Sequence, residues 1–389
     1  MELVKRKGDC CGCRTCEQVC PKKAIHMEAD ACGFLYPKID VDKCVDCGLC
    51  LEKCAFQSGY KKRKTFKPYY AYGVRHKKKE GYMNSRSGGA FTALSDYVLR
   101  QSGVVYGAGY DSEDGPYRVK HVSAENKAER NTQRGSKYVQ SDLNQVFPQV
   151  KEKLEQGRTV LFSGTGCQVG ALYAYLPREY ENLYTIDIVC HGVPSPKVWE
   201  DFLHMREQEK GGEVEKAEFR DKKKCGWKAH KETVVINGKH YTSRIYTQMF
   251  YGCNIRESCY NCAYANKNRV GDITLADFWG HNKAMPGVWD DDKGISLVLV
   301  NNPQGMKLWE ASKDEVNFVD VTGHPFRQGR LRKPMKKPES YDEFWEDYKR
   351  EGFVYCAEKY SDYRIKSLEE LKKESFFMRL LKKLSGDQK

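Results

Sequence analysis

No run in this chain approaches the ~20 consecutive apolar residues that a membrane-spanning helix needs. The opening residues, MELVKRKGD, also lack the apolar centre of a secretory signal. The expectation is a soluble, cytoplasmic protein without a membrane span. Two glycine-rich loops, SRSGG and SGTGCQ, have neither the Rossmann nor the P-loop spacing. Long low-complexity segments are missing too, and the internal repeat is a pair of cysteine runs. Acid is the scarcer charge, with 53 Asp and Glu against 66 Lys and Arg, a formal +13. The basic residues cluster as KKRK at Lys61 to Lys64, KKK at Lys77 to Lys79, DKKK ending at Lys224, and RLRKPMKK from Arg330. Without a nucleic-acid-binding fold around them, such runs are weak evidence for DNA or RNA, and no nucleic-acid partner is expected. They read as solvated surface, or as docking sites for an acidic electron carrier or an anionic substrate.

Cysteine, by contrast, is abundant: 17 in 389 residues, ten of them within the first 54. Cys10, Cys13, Cys16 and Cys20 follow C-x2-C-x2-C-x3-C with Pro21 next, and Cys44, Cys47, Cys50 and Cys54 repeat the run. Two such runs are the ligand pattern of a ferredoxin with two [4Fe-4S] clusters, in which the fourth cysteine of each run serves the other cluster. Cys10, Cys13, Cys16 and Cys54 are therefore assigned to one centre, and Cys44, Cys47, Cys50 and Cys20 to the other. Zinc fits poorly, since the third cysteine of each run and the trailing x3 spacing are superfluous to a zinc knuckle. Ala55 stands where proline often follows the last ligand, and Cys11 and Cys32, outside the pattern, read as packing residues. Metal binding in a reducing compartment fits this usage better than a disulfide scaffold.

A third thiol group, Cys253, Cys259 and Cys262, is spaced C-x5-C-x2-C and needs a fourth ligand from elsewhere. Cys190 in VCHG is chosen, with Cys167 in GTGCQ the competitor. A third [4Fe-4S] centre, a zinc site and unligated structural thiols all stay open on spacing alone.

At 389 residues the chain exceeds a ferredoxin and has room for several domains. After a boundary near Lys61, strand and helix patterns alternate from about residue 85 to 210, which predicts an α/β core behind the ferredoxin-like module. SGTGCQ joins the strand RTVLF to the helix QVGALYAYL, and SRSGG opens the helix AFTALSDYVLR. Backbone N–H groups at two such helix starts suit a diphosphate dinucleotide such as FAD. His191 is a candidate proton donor, and Lys137 and Tyr138 are candidates for a phosphate or substrate. Asp277 in ADFWG is a candidate for a ribityl hydroxyl or a turn cap. SFFMRLLKKL near the end is amphipathic and too short for an anchor, so surface packing is expected there.

The order of these motifs, a double ferredoxin run, SGG, GSKYVQS, FSGTGCQVGAL, DIVCHGVPS and C-x5-C-x2-C leading to GDITLADFWG, resembles the coenzyme F420 hydrogenase/dehydrogenase beta subunit family over about residues 1 to 325. The resemblance implies an FAD and iron-sulfur oxidoreductase whose relatives reduce a deazaflavin coenzyme or use ferredoxin electrons on an organic substrate. It implies flavin contacts at Ser87, Gly88 and Gly89, at Gly135, Ser136, Lys137 and Tyr138, and at Gly164, Thr165, Gly166, Cys167 and Gln168. Gly166 departs from the family's usual proline, so a less rigid turn is expected. The division that follows is 1–60 ferredoxin-like domain, 61–150 and 151–325 the two parts of a flavin core, and 326–389 a charged helical tail. The function expected is electron flow from a low-potential donor, ferredoxin, through [4Fe-4S] clusters to FAD and on to a coenzyme or organic substrate. The alternative is an electron-transfer subunit serving a partner oxidoreductase.

Overall fold

A computed structural model of the chain describes residues 3–57, 65–324 and 327–364. The basic KKRK stretch with the boundary near Lys61, and the amphipathic SFFMRLLKKL, lie outside the described residues.

The N-terminal module is a hairpin of β1 (Ile25–Ala29) and β2 (Leu35–Ile39), paired antiparallel from Ile25–Ile39 to Ala29–Leu35. Single helical turns at Thr15–Gln18 and Leu49–Glu52 carry the middle of each cysteine run. Such a short unit has little apolar core, here Leu3, Ile25 and Cys50. What surrounds its thiols must supply the rest of its stability.

Behind it lies a mixed sheet, eight-stranded among the described residues. Its first strands are β3 (Tyr70–His76), β4 (Val104–Asp111), β5 (Gly115–Ala124), β6 (Val160–Thr165) and β7 (Leu183–Ile188). A separate antiparallel sheet of β8 (Val214–Glu218), β9 (Glu232–Ile236) and β10 (Lys239–Ser243) interrupts it. The chain then returns with β11 (Ile273–Asp277), β12 (Ser296–Val300) and β13 (Val316–Asp320), giving the order β13-β3-β12-β11-β7-β6-β4-β5. β4, β6, β7 and β11 run parallel, so their carboxyl ends share one edge of the sheet. Alternation along the strands buries both faces. Val104, Tyr106, Val160 and Phe162 pack with helices Val146–Glu155 and Gly166–Tyr175, while Val105, Leu161, Ile186 and Val298 pack with Ala90–Arg100 and Pro303–Glu310.

The sequence places an α/β core at about residues 85 to 210; the sheet reaches from β3 to β13. β3, β12 and β13 escape the strand-helix alternation because they join antiparallel at one end of the sheet. Strands from either side of residue 150 interleave, so the two parts of the core form one body. The early part of the tail is built into the molecule as well. The helical segment Tyr341–Tyr360, broken at Gly352 (φ 80°), buries Phe344, Trp345 and Tyr348 against helix Pro196–Lys210 and the small sheet.

Candidate functional site

Three thiol-walled voids and one large cavity adjoin one another, each sharing wall residues with the next, from the module to the sheet's carboxyl edge. The first void is walled by Cys10, Cys13, Cys16 and Cys54, and the second by Cys20, Cys44, Cys47 and Cys50. Each therefore takes the fourth cysteine of the opposite run, as the crossed ligand pattern requires. Cys50 stands in the wall of both.

The third void is walled by Cys11, Cys167, Cys190, Cys259 and Cys262, and Cys11 also stands in the wall of the first. Cys167 begins the helix that follows β6, and Cys190 lies just past β7, so neighbouring parallel strands deliver two thiols to one place. A 3-10 turn, Glu257–Asn261, presents Cys259 and Cys262 from the opposite side. Cys253 does not join them. Its thiol lies 3.0 Å from Ser340 Oγ, and the side chain is buried in the cluster around the small sheet. The cause is local: helix Ile245–Tyr251 ends at Gly252 and the chain turns Cys253 inward, so C-x5-C joins two cysteines in different environments. Cys167, the competitor on sequence, stands where Cys253 was expected.

Among the described residues, no three His, Cys, Asp or Glu side chains close on one point as the ligands of a single ion do. Thiolates are soft donors, and walls of cysteine suit an iron-sulfur group. The residues present fit such a group. Burial pushes the thiols of Cys54 and Cys262 up to about 11 and that of Cys190 up to about 12, so occupation of these walls must release protons.

The cavity of about 490 Å³ opens where β6, β7 and β11 end, the usual ligand position of an open parallel sheet. Ser87, Gly89, Gly135, Ser136, Lys137, Tyr138, Gly164, Thr165 and Gln168 line it. Gly166 and Cys167 face the third void instead, and Gly88 lies behind, where a Cβ would stand 2.1 Å from the Val74 carbonyl oxygen. Gly89 caps helix Ala90–Arg100 at φ 90°, a conformation that glycine adopts without strain.

The turn at Gly166 is held despite the missing proline. Thr165 and Gln168 form a capping box, the Thr165 N–H donating to Gln168 Oε1 at 2.9 Å. Gln168 Nε2 donates to Ser141 Oγ at 2.9 Å, and Ser141 Oγ lies 3.0 Å from His121 Nδ1. His121 Nε2 sits 3.0 Å from the Ser163 carbonyl, which fixes that nitrogen as the donor and leaves Nδ1 to accept from the serine. Burial drives His121 down to about 4, so the ring is neutral at pH 7. Gly166 also admits Tyr264, whose Cβ would lie 2.9 Å from a Cβ added there.

The cavity wall is cationic. Arg86, Arg134, Lys137, Arg220, Arg327 and Arg330 line it, and Asp277 is the one carboxylate among the described lining residues. Asp277 is already engaged, accepting from Arg220 Nη1 at 2.6 Å and from Trp227 Nε1 at 2.8 Å. Lys137 donates to the carbonyls of Thr132 (2.6 Å) and Arg134 (3.2 Å), and burial lowers it to about 7. Tyr138 Oη accepts from Arg220 Nη1 at 3.1 Å. Arg134 and Arg86 also pair with Glu80 (2.6 Å) and Glu218 (3.2 Å), which stand outside the wall, so the wall itself keeps more cations than anions and suits an anionic ligand.

His191 lines both the third void and the cavity, as does Arg330. Its ring packs 5.2 Å from Phe250 and 5.0 Å from Tyr251, and its buried Nε2 has no hydrogen-bond partner. Burial holds His191 near 4, well below the neutral titration that the sequence suggested. Arg86, Arg134, Arg220 and Trp279 were missed in the sequence. Arg86 stands inside SRSGG, Trp279 inside ADFWG and Arg134 just before GSKYVQS, but those motifs drew notice through their glycines, lysine and aspartate; Arg220 sits on a segment without a motif and reaches the cavity through tertiary packing.

Of the basic runs, Lys77, Lys78 and Lys79 are exposed, whereas Lys222 of DKKK is buried and donates to the Ser87 carbonyl at 2.8 Å. RLRKPMKK passes over the site, with Arg330 on the cavity and Pro334 and Met335 on the third void.

These features define a cysteine-rich α/β protein whose site is assembled at strand ends. Residues 157–322 match the family described as the carboxyl-terminal part of the coenzyme F420 hydrogenase/dehydrogenase beta subunit, which relates this segment, with Cys167, Cys190, Cys259 and Cys262, to an oxidoreductase family. A chain of the F420-reducing [NiFe] hydrogenase complex from Methanosarcina barkeri is similar at 20% identity and a TM-score of 0.46, over 76% of this chain and 91% of that one. That likeness is too loose to bear on the site. No curated protein matches the sequence. Among the described residues, no helix is long and apolar enough to cross a membrane.

Proposed function

We propose that the chain is an iron-sulfur flavoprotein oxidoreductase, taking electrons from a low-potential carrier such as ferredoxin and passing them to FAD and then to a coenzyme or organic substrate. The observation that carries this reading is continuity. The second and first voids share Cys50, the first and third share Cys11 and Phe56, and the third void and the cavity share Thr165, Cys190 and His191. When bound, [4Fe-4S] centres exchange single electrons and a flavin one or two, which joins one-electron supply to two-electron chemistry.

The chain's own residues do the rest. Cys10, Cys13, Cys16 and Cys54, then Cys20, Cys44, Cys47 and Cys50, and then Cys167, Cys190, Cys259 and Cys262 would hold three centres. Arg86, Arg134, Lys137 and the Gly164 to Gln168 turn would hold the diphosphate and ring system of FAD. Cys47 is exposed, so the second void is the one open to an incoming carrier. Neutral His191 can donate one hydrogen bond toward the cavity without bringing charge.

The test is iron and acid-released flavin per chain in anaerobically reconstituted protein. About twelve iron with one FAD is expected. About eight iron would return the third void to a structural role, and iron without flavin would end the oxidoreductase reading in favour of a bare electron carrier.

A further inference from the structure

Arg256 stands three residues before Cys259 on the loop that walls the third void, and the residue has no solvent exposure (0%). Nε donates to the Cys10 carbonyl at 2.8 Å, Nη1 to Gln140 Oε1 at 3.1 Å and Nη2 to the Leu35 carbonyl at 2.9 Å. The guanidinium stands 4.2 Å from the centre of the Tyr36 ring and 5.4 Å from that of Phe34. Every partner is neutral, and among the described residues no carboxylate comes within ion-pair distance. A buried cation without an anion is costly, and chains retain one where a counter-charge arrives.

The groups able to become anionic around it are sulfurs and a phenol: Cys10, Cys11, Cys259 and Tyr36. Cys10 walls the first void, Cys259 and Arg256 itself wall the third, and Cys11 stands between them. We infer that Arg256 is a positioning residue, the built-in counter-charge shared by the first and third thiol-walled sites, which favours their more negative, reduced state while joining the N-terminal module to the core. The inference rests on the iron-sulfur reading above. An added electron makes a four-thiolate centre more negative by one charge, and a fixed cation in a dry interior acts strongly on that difference. The second void does not include Arg256 in its wall and is an internal reference.

The experiment is an EPR-monitored redox titration of the reconstituted full chain as wild type, Arg256→Gln and Arg256→Lys. Glutamine removes the charge; lysine keeps it and loses the fork. In Arg256→Gln, two of three centres are expected to become harder to reduce, by about tenfold in the reduced-to-oxidised ratio at a given potential, or about 59 mV for one electron. The remaining centre stays unchanged, and Arg256→Lys recovers most of the loss. An Arg256→Gln titration identical to wild type, or an equal shift of all centres, overturns the inference. Where Arg256→Gln cannot retain iron, retention by Arg256→Lys supports the role of charge, and loss from both overturns it. A wild-type chain without iron sinks the functional reading and this inference together, whereas twelve iron with an indifferent Arg256→Gln sinks the inference alone.

Discussion

The thiols around the first two voids come from residues 10 to 54, on two turns and a hairpin, while around the third Cys11 is joined by Cys167, Cys190, Cys259 and Cys262 of the core. The first pair is written in spacing, because a helical turn and its flanks set the cysteines of C-x2-C-x2-C along the wall of one void. The third depends on β6 and β7 being parallel neighbours in register, Thr165 opposite Ile188, so that Cys167 and Cys190 emerge side by side. A local site depends on neighbours in sequence; an assembled one requires the sheet to form first. Mutations that leave the sheet alone should separate the two kinds of site.

The largest expected effect is on iron. Cys190→Ser should remove about four of twelve iron and spare the ferredoxin-like pair, whereas Cys13→Ser should remove about four and spare the third site, read as iron per chain with EPR of the remaining centres. Cys253→Ser should keep all the iron. Loss of iron from Cys253→Ser would restore the ligand set expected from the C-x5-C-x2-C spacing and break the contrast.

Next comes the cavity beside the assembled site. Lys137→Met should weaken FAD binding by about tenfold, about 1.4 kcal/mol, in a flavin fluorescence titration. Burial lowers Lys137 to about 7, so its charge is lost as pH rises through that value. Wild-type FAD affinity should therefore decline above pH 7, and the variant should lack that slope.

Acid tests the sheet edge itself. His121 falls to about 4 in the fold from 6.5, so the unfolded chain takes up a proton first as pH drops. Its contribution, on the order of 3 kcal/mol, is present above pH 6.5 and lost as pH falls toward 4. His121→Gln should flatten the dependence of the unfolding midpoint on pH across that window.

The smallest effect is expected at Gly166. Proline is favoured in the first turn of a helix, yet here a ring would press on Tyr264, so Gly166→Pro should lower stability by about 1 to 3 kcal/mol in chemical denaturation. A stabilised variant would mean that Tyr264 yields and that the family's usual proline is compatible with this site.

How far the site was legible follows the same division. The eight ferredoxin-run cysteines, the strand-turn-helix at SGTGCQ and the helix after SRSGG were readable, because each is a matter of near neighbours. Nine of the twelve residues expected at the flavin line the cavity, and the exceptions have local causes: Gly88 faces the Val74 carbonyl, and Gly166 and Cys167 begin a helix whose first turn looks into the neighbouring void. Cys253 stands outside the third void, because thiol spacing in a loop does not tell which way the chain turns after a helix. Arg256 carried no signal of any kind. An arginine between cysteines looks like loop charge until burial removes its water.

Residue order alone carries the chemistry available here: the soft thiols, the two spaced cysteine runs, the glycine turns that open two helices and the alternation that makes an α/β sheet. Packing in three dimensions set which thiols meet and what lies beside them, because convergence at strand ends comes from pairing and register between separate segments: Thr165 lies opposite Ile188, and the loop with Cys259 and Cys262 arrives from further along the chain. Packing also brought six cations to one cavity wall and sealed one guanidinium among sulfurs, since burial and charge density are properties of the folded interior rather than of any window of chain.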